Sequence, residues 1–347
     1  MTAEPTAEAT GGTRPRTRTA ALTVSSGITP SGRLTLGNYL GALRRFVDQQ
    51  RSVRGHYFIA DLHAMTIPHR PARLASLTRQ TAALYLAAGL DPAHSTVFVQ
   101  SHVPAHAELA YLLECTGYIG ELQRMVQFRQ KGRDTPMTRV SLLTYPCLMA
   151  ADILLYRAEQ VPVGADQDQH VELARNLAVR FNRQYGETFT VPSLVREPVA
   201  GRIADLSDPT RKMSKTDPDD AAGVIRLLDD PGLIRRKVSR AVTDSGSEVR
   251  YDPAAKPGVS NLLTILAAST GAGEPAELDG RISSYARLKD AVTDAVIALL
   301  EPVQRRYREL VDDATGLDAA LAAGAERAAV QAAPVLRAAK TAIGLAR

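Results

Sequence analysis

A chain of 347 residues, 45% hydrophobic and 23% charged, is an ordinary globular protein with room for about two domains. Its formal net charge of +5, from 42 Lys and Arg against 37 Asp and Glu, suits an anionic partner as well as a solvated surface. No apolar run approaches the roughly 18 residues of a membrane span, and the only cysteines, Cys115 and Cys147, exclude a disulfide framework and zinc-ligand spacing.

Residues 1–19 are rich in Thr, Ala, Glu, Pro, Gly and Arg and have no apolar h-region. They read as a disordered tail, not a secretory signal. From Ala20 to about Gly186, short β-like runs fall at Ala21–Val24, Tyr57–Ala60, Thr96–Gln100 and Gln160–Val163. Helical periods such as Leu74–Leu86 and His170–Phe181 lie between them. This alternation predicts a parallel sheet wrapped by helices. Residues 120–156 read as a helical insertion over the sheet's C-terminal edge, where ligands bind in such folds. Residues 188–220 are loop-rich. From Leu228 onward no strand is expected. Helical periods run through Leu233–Val242, Leu262–Ala268, Leu278–Leu299, Val303–Leu310 and Leu317–Ala346. The predicted fold is α/β. A Rossmann-like parallel-sheet nucleotide-binding domain with a helical insertion (20–220) follows the tail (1–19) and precedes an all-α C-terminal domain (221–347). Both cysteines fall in apolar helical patterns, which predicts buried free thiols and a cytoplasmic, reducing setting.

Three segments carry chemistry. The stretch Ser26–Gly41 supplies strand, Gly-rich turn and helix in the order that admits phosphate to a helix N-terminus. Thr35 and Asn38 share one face of its first helical turn and could bond a phosphate oxygen. Equally, Thr35 could be a plain N-cap and the glycines plain turn residues. Between Asp208 and Asp220, Lys212 and Lys215 lie on a loop bounded by Pro209 and Pro218. Two ammonium groups on a mobile loop suit a polyphosphate, as each is a compact charge with three donors. A solvated basic turn is the alternative. Asp152 stands inside the apolar run Leu148–Leu155. A buried carboxylate needs a partner, either an Arg or helix N-terminus, or a ligand.

Thr35-Leu36-Gly37-Asn38 and Lys212-Met213-Ser214-Lys215-Thr216 resemble the HIGH and KMSKS signatures of class I aminoacyl-tRNA synthetases. The runs Thr144–Tyr156 and Val161–His170 resemble the amino-acid pocket of bacterial tryptophanyl-tRNA synthetases, and the likeness covers roughly residue 22 to the C-terminus. Further matches are Tyr57–Thr66, Tyr118–Leu122 and Ala241–Ser245. The resemblance implies activation of L-tryptophan by ATP and its transfer to tRNA(Trp), in a cytoplasmic homodimer without a membrane partner. It implies that Thr35, Asn38 and Gly37 meet the triphosphate, with Lys212, Ser214, Lys215 and Lys131 on the pyrophosphate. Mg²⁺ would arrive with ATP, held by its phosphates. Gly164 and Asp166 resemble the ribose site, and Ile203 and Met213 the adenine site. Asp152 would accept the indole N–H, and Tyr145 and Gln167 would hold the α-ammonium group. Met149, His63 and Val163 would line the indole slot. For Lys131, Ile203 and His63, a surface cation, a core residue and a satisfied core histidine are the respective alternatives. Arg235, Arg236, Lys237 and Arg240, and Arg305, Arg306 and Arg308, either touch tRNA phosphates or are solvated helix faces.

Three positions depart from the family pattern, all beside the amino acid. Thr29 stands where Gln is usual, Ser25 where a larger apolar residue is usual, and Leu62 where Gln is frequent. The chain also contains no tryptophan. Together these suggest an auxiliary, inhibitor-tolerant isoform that can be made when charged tryptophan tRNA is scarce. The rival readings are a tyrosyl-tRNA synthetase, a nucleotidyltransferase of the same superfamily, and a non-catalytic paralogue that binds tRNA or tryptophan.

Overall fold

The computed structural model describes residues 22–131, 137–163, 168–196 and 203–345. The tail expected over 1–19 lies outside these residues. Strands β1 (Thr23–Ile28), β2 (Arg54–Ile59) and β3 (Ser95–Val99) form a parallel sheet in that order. Thr23 pairs with Arg54 and Ile28 with Ile59, while Gly55 pairs with Ser95 and Ile59 with Val99. Strands β4 (Gln160–Val163) and β5 (Ser193–Arg196) also pair in parallel, and β4 lies beside β1. A parallel sheet is covered on both faces, which is why β3 is buried at every position.

The four expected strands are present. The fifth, β5, falls in the region expected to be loop. Only Leu194 and Val195 are apolar in it, so the sequence carries no alternation. Its strand conformation comes from pairing with β4, a non-local contact.

Helix Pro71–Ala87 opens with proline in its first turn, where a missing N–H is harmless. It places Tyr85 under the sheet. The Tyr85 hydroxyl accepts from Ile28 N–H at 2.9 Å and donates to the Phe58 carbonyl at 3.2 Å, tying β1 to β2. The insertion comprises helices Ile119–Gln123, Val126–Lys131 and Val140–Leu154. Among the described residues the chain after β5 forms no further strand. Its longer helices are Pro231–Ser239, Pro257–Thr270, Tyr285–Asp312 and Ala314–Ala342. The two periods expected on either side of Pro302 are one helix. Proline removes the bond to the carbonyl four residues back, but Ala298 is exposed, so water can serve that oxygen.

Two apolar clusters hold the layers together. On one face Val24, Leu43 and Tyr57 pack with Ile234, Leu262 and Val292 of the C-terminal helices. On the other, Phe58, Phe98 and Leu109 pack with Ala151, Leu177, and Ala328 and Val335 of the last helix. The last helix therefore recrosses the molecule to lie against β3 and helix Ala105–Glu114. Gly324 makes this approach possible, because a Cβ there would lie 1.8 Å from the Val97 carbonyl oxygen. The cysteine expectation needs one correction. Cys147 is buried and its thiol is pushed up to about 12 by burial, but Cys115 is exposed. It is the C-cap of helix Ala105–Glu114.

Candidate active site

The parallel strands aim several polar residues, two of them predicted, at one edge. Thr29 follows β1, His63 lies on the short helix Asp61–Ala64 after β2, and Gln100 follows β3 directly. Ligands bind at this carboxyl edge in such sheets.

Asp152 sits at 3% exposure in the last turn of helix Val140–Leu154. Its Oδ1 accepts from Gln100 Nε2 at 2.7 Å and pairs with His106 Nδ1 at 2.6 Å. Its Oδ2 pairs with His63 Nε2 at 2.8 Å. Burial pushes the Asp152 carboxyl up, but the bonds from His106 and His63 outweigh it and hold the group below the usual carboxylate range. The partner is thus neither an Arg nor a helix N-terminus, but two histidines and a glutamine. A carboxylate offers roughly four lone-pair sites. Three donors leave one, on Oδ2, where a ligand N–H could bind.

The support of Asp152 runs further. His106 Nε2 meets the Tyr156 hydroxyl at 2.8 Å, and Tyr156 stacks on His56 with centroids 4.3 Å apart. His56, pushed down by burial, closes on Gln331 Oε1 of the last helix at 2.5 Å. Ser25 donates its hydroxyl to the Asp152 carbonyl at 2.7 Å. The small residue at this departure is therefore also a hydrogen-bonding one. Gln100, His106, Tyr156 and Gln331 were not singled out in the sequence. A histidine inside the apolar pattern of helix Ala105–Glu114 was the available signal.

Tyr145 lies two helical turns before Asp152, its ring 6.3 Å from that of His63 in an edge-on arrangement. Its hydroxyl shares a 2.6 Å hydrogen bond with His170 Nε2, and burial raises its pKa, so the hydroxyl keeps its proton. Met149, half-buried, is one turn before Asp152 on the same face.

The Gly-rich turn forms the second part. Thr35 is the N-cap of a helix that starts at Leu36–Asn38, takes a π turn over Tyr39–Leu43 and continues as Arg44–Gln49. The Asn38 N–H donates to the Thr35 hydroxyl at 3.2 Å and the Thr35 N–H to Asn38 Oδ1 at 3.0 Å. In this structure the pair caps the helix, and a phosphate oxygen would compete for the same groups. Gly37, Ile203 and Met213 come together, since a Cβ on Gly37 would be 3.6 Å from Ile203 Cβ and 3.8 Å from Met213 Cβ. Met213 N–H donates to the Ile203 carbonyl at 3.1 Å.

The loop of Lys212 and Lys215 closes against this turn. Lys215 Nζ donates to the Thr29 carbonyl at 2.6 Å, and the Lys215 carbonyl lies 1.8 Å from where a Cβ on Gly32 would stand. Only glycine admits the loop this close. Desolvation first, and the Lys212 charge second, push the Lys215 ammonium down to about 8. Lys212 is exposed, and the Ser214 hydroxyl bonds that of Thr216 at 2.9 Å.

Gly164, Asp166 and Gln167, and the side chains of Lys131 and Val163, lie outside the described residues. Among the described residues no cluster of His, Cys, Asp or Glu is arranged to hold a metal ion. Of the basic stretches, Arg235, Arg236, Arg240, Arg305, Arg306 and Arg308 are exposed. Lys237 is not. It is buried, 2.7 Å from Asp229 Oδ2 and 2.7 Å from the Val224 carbonyl, and so is no contact for tRNA.

Residues 17–301 match the family model of tRNA synthetases class I (W and Y). The tryptophan–tRNA ligase 1 of Streptomyces coelicolor is 53% identical over 328 residues, covering 93% of this chain and 97% of its own. The solved tryptophanyl-tRNA synthetase of Mycoplasma pneumoniae superposes with a TM-score of 0.84 at 35% identity, covering 94% of this chain and 98% of that one. That of Campylobacter jejuni, solved with ADP and tryptophan, gives 0.79 at 31%, covering 93% and 100%.

Proposed function

The chain belongs to the class I tRNA synthetases of the tryptophan and tyrosine type, and from that we propose its reaction. It activates L-tryptophan with ATP and charges tRNA(Trp). A tryptophan carboxylate oxygen attacks the ATP α-phosphorus, the bond to the β-phosphate oxygen breaks, and pyrophosphate leaves. A ribose hydroxyl at the tRNA 3′ end then attacks the aminoacyl carbonyl and AMP leaves. Neither step needs a protein nucleophile, so the residues position groups and stabilise charge.

The observation that carries the tryptophan assignment is Asp152, an ionised buried carboxylate with one acceptor site left for an indole N–H. Tyr145 and Gln167 hold the α-ammonium group, while Met149, His63 and Val163 line the slot. Thr35, Gly37 and Asn38 meet the triphosphate, with Lys212, Ser214, Lys215 and Lys131 on the departing pyrophosphate. Gly164 and Asp166 take the ribose, and the backbone at Ile203 and Met213 takes adenine. Mg²⁺ enters as part of the ATP substrate. The exposed arginines of the helical part, residues 221–347, meet tRNA phosphates. The setting is the cytosol and the working unit a homodimer. Exposed Tyr111, Tyr118, Ile119 and Val140 are the apolar surface a second copy would cover. Tyrosine is the less favoured substrate, since these relatives are tryptophan enzymes. Pyrophosphate exchange with each amino acid in turn tests the reading. Exchange driven by tyrosine rather than tryptophan would overturn it.

The Lys215 ammonium sets a pH dependence. Its folded-state pKa of about 8 lies below the ordinary lysine value, so the free enzyme loses this charge as pH rises through about 8. The kcat/KM for ATP reports groups of the free enzyme and should fall along that limb. Lys212→Ala removes the like charge and should move the limb to higher pH, whatever it does to the plateau. A limb unmoved by that change would assign it to another group.

Thr29, Ser25 and Leu62 fit an auxiliary isoform tolerant of tryptophan mimics. The Thr29 side chain is too short for the reach of Gln, while its carbonyl is held by Lys215. Thr29→Gln should therefore strengthen binding of an indole-based mimic such as indolmycin by about 0.5–1.5 kcal/mol, one hydrogen bond. Equal inhibition constants in the two enzymes would remove the pocket part of this idea.

A further inference from the structure

Arg226 is 2% exposed, the largest fully buried side chain among the described residues. Its acceptors are all backbone carbonyls. Nη1 donates to Arg33 at 3.0 Å and to Lys215 at 3.2 Å, while Nη2 donates to Asp217 at 2.8 Å and Pro218 at 3.0 Å. One acceptor belongs to the Gly-rich turn and three to the limb of the loop that carries Lys215. The backbone of Arg226 is itself fixed. Leu36 N–H donates to the Ile225 carbonyl and Leu227 N–H to the Leu34 carbonyl, so residue 226 pairs with Thr35 as one antiparallel rung. The Arg226 N–H donates to Asp229, which Lys237 holds from the helical side. The opposite limb of the loop is tied separately, through Met213 to Ile203 and through Asp205 N–H to the Arg211 carbonyl.

We infer that Arg226 is a positioning residue for amino-acid activation: gathering carbonyls of the turn and the loop on one guanidinium, it sets the backbone from which Lys215 reaches the phosphates. This rests on the reading of the 212–216 loop as the pyrophosphate-binding one. A planar fork can serve two segments at once, and a lysine ammonium, a single point with three donors, cannot span them. Arg226 is buried, and both its Nη atoms are spent on backbone carbonyls. Its effect therefore passes through Lys215 and falls on the rate of adenylate formation, not on tryptophan affinity.

The test uses the full-length protein carrying Arg226→Lys, Lys215→Ala or both, with single-turnover adenylate formation, equilibrium tryptophan binding and trypsin cleavage after Arg211, Lys212 and Lys215. Arg226→Lys should slow adenylate formation by on the order of 10–10²-fold, the usual consequence of a small misplacement. Tryptophan affinity should stay within about twofold and loop cleavage should quicken, as a loop released from its anchor requires. In the Lys215→Ala background the same substitution should have little further effect on the rate, because residues acting through one another are non-additive. Additive losses in the double variant, or a folded Arg226→Lys with unchanged rate and cleavage, would overturn the inference. Arg226→Gln serves as a second variant. If neither folds by circular dichroism, Arg226 is an anchor of the fold and the inference fails. Wild-type exchange in Lys215→Ala alone would instead remove the parent reading of the loop, a separate outcome.

Discussion

Lys215→Ala should slow tryptophanyl-adenylate formation by on the order of 10²–10³-fold, the loss usual for one donor aimed at transition-state charge. The structure gives this expectation a particular form. Without nucleotide the ammonium is desolvated, lies under the influence of Lys212, and has the Thr29 carbonyl as its hydrogen-bond partner. Its charge is therefore costly in the free enzyme and is offset only when phosphate arrives. Removing that costly charge should leave the apo protein at least as stable at neutral pH, with tryptophan affinity little changed. Stopped-flow measurement of adenylate formation, beside equilibrium tryptophan binding, checks both. Lost tryptophan binding with a normal rate of activation would contradict the assignment.

Asp152→Asn should collapse the preference for tryptophan over its benzothiophene isostere. The amide oxygen can keep Gln100 and His106, and His63 can present a bare Nε2 to the new Nδ2 by changing tautomer. The folded hub survives. The remaining acceptor site, however, becomes a donor facing the indole N–H. A site built to bond a substrate N–H discriminates by up to about 10⁴–10⁵, so kcat/KM for tryptophan should fall by a large part of that factor while the isostere changes little. Asp152→Ala is the less informative change. It leaves buried donors on His63, His106 and Gln100 unpaired, at a cost of roughly 3–5 kcal/mol for a broken buried pair. Parallel losses for both substrates in Asp152→Asn would make Asp152 a purely structural hub.

Asp152 was legible because one carboxylate in an apolar helix asks for a partner. Its actual partners were not, because Gln100 and His106 follow a different strand and reach it only through the crossover order of the sheet. Lys212 and Lys215 stood out by type and spacing, and Thr35 with Asn38 by the three-residue interval of a helical turn. That interval serves equally for capping, which is the use the structure shows. Arg226 gave no signal, since nothing local distinguishes a buried arginine from the solvated ones nearby. Strand β5 failed for the same reason in backbone form, as its pairing with β4 lies 33 positions away in register. The helical periods were readable throughout, because each is a property of neighbours in sequence.

The last helix imposes an order on biosynthesis. Strand β3 is translated well before its cover, the helix that brings Gly324 onto Val97 and Gln331 onto His56. On the ribosome, the nascent sheet must hold an open edge and an uncovered apolar face until that helix has emerged, a state that invites chaperones and misassembly. Until it docks, the hydrogen-bonded relay behind Asp152 ends at a buried histidine that has not yet met Gln331.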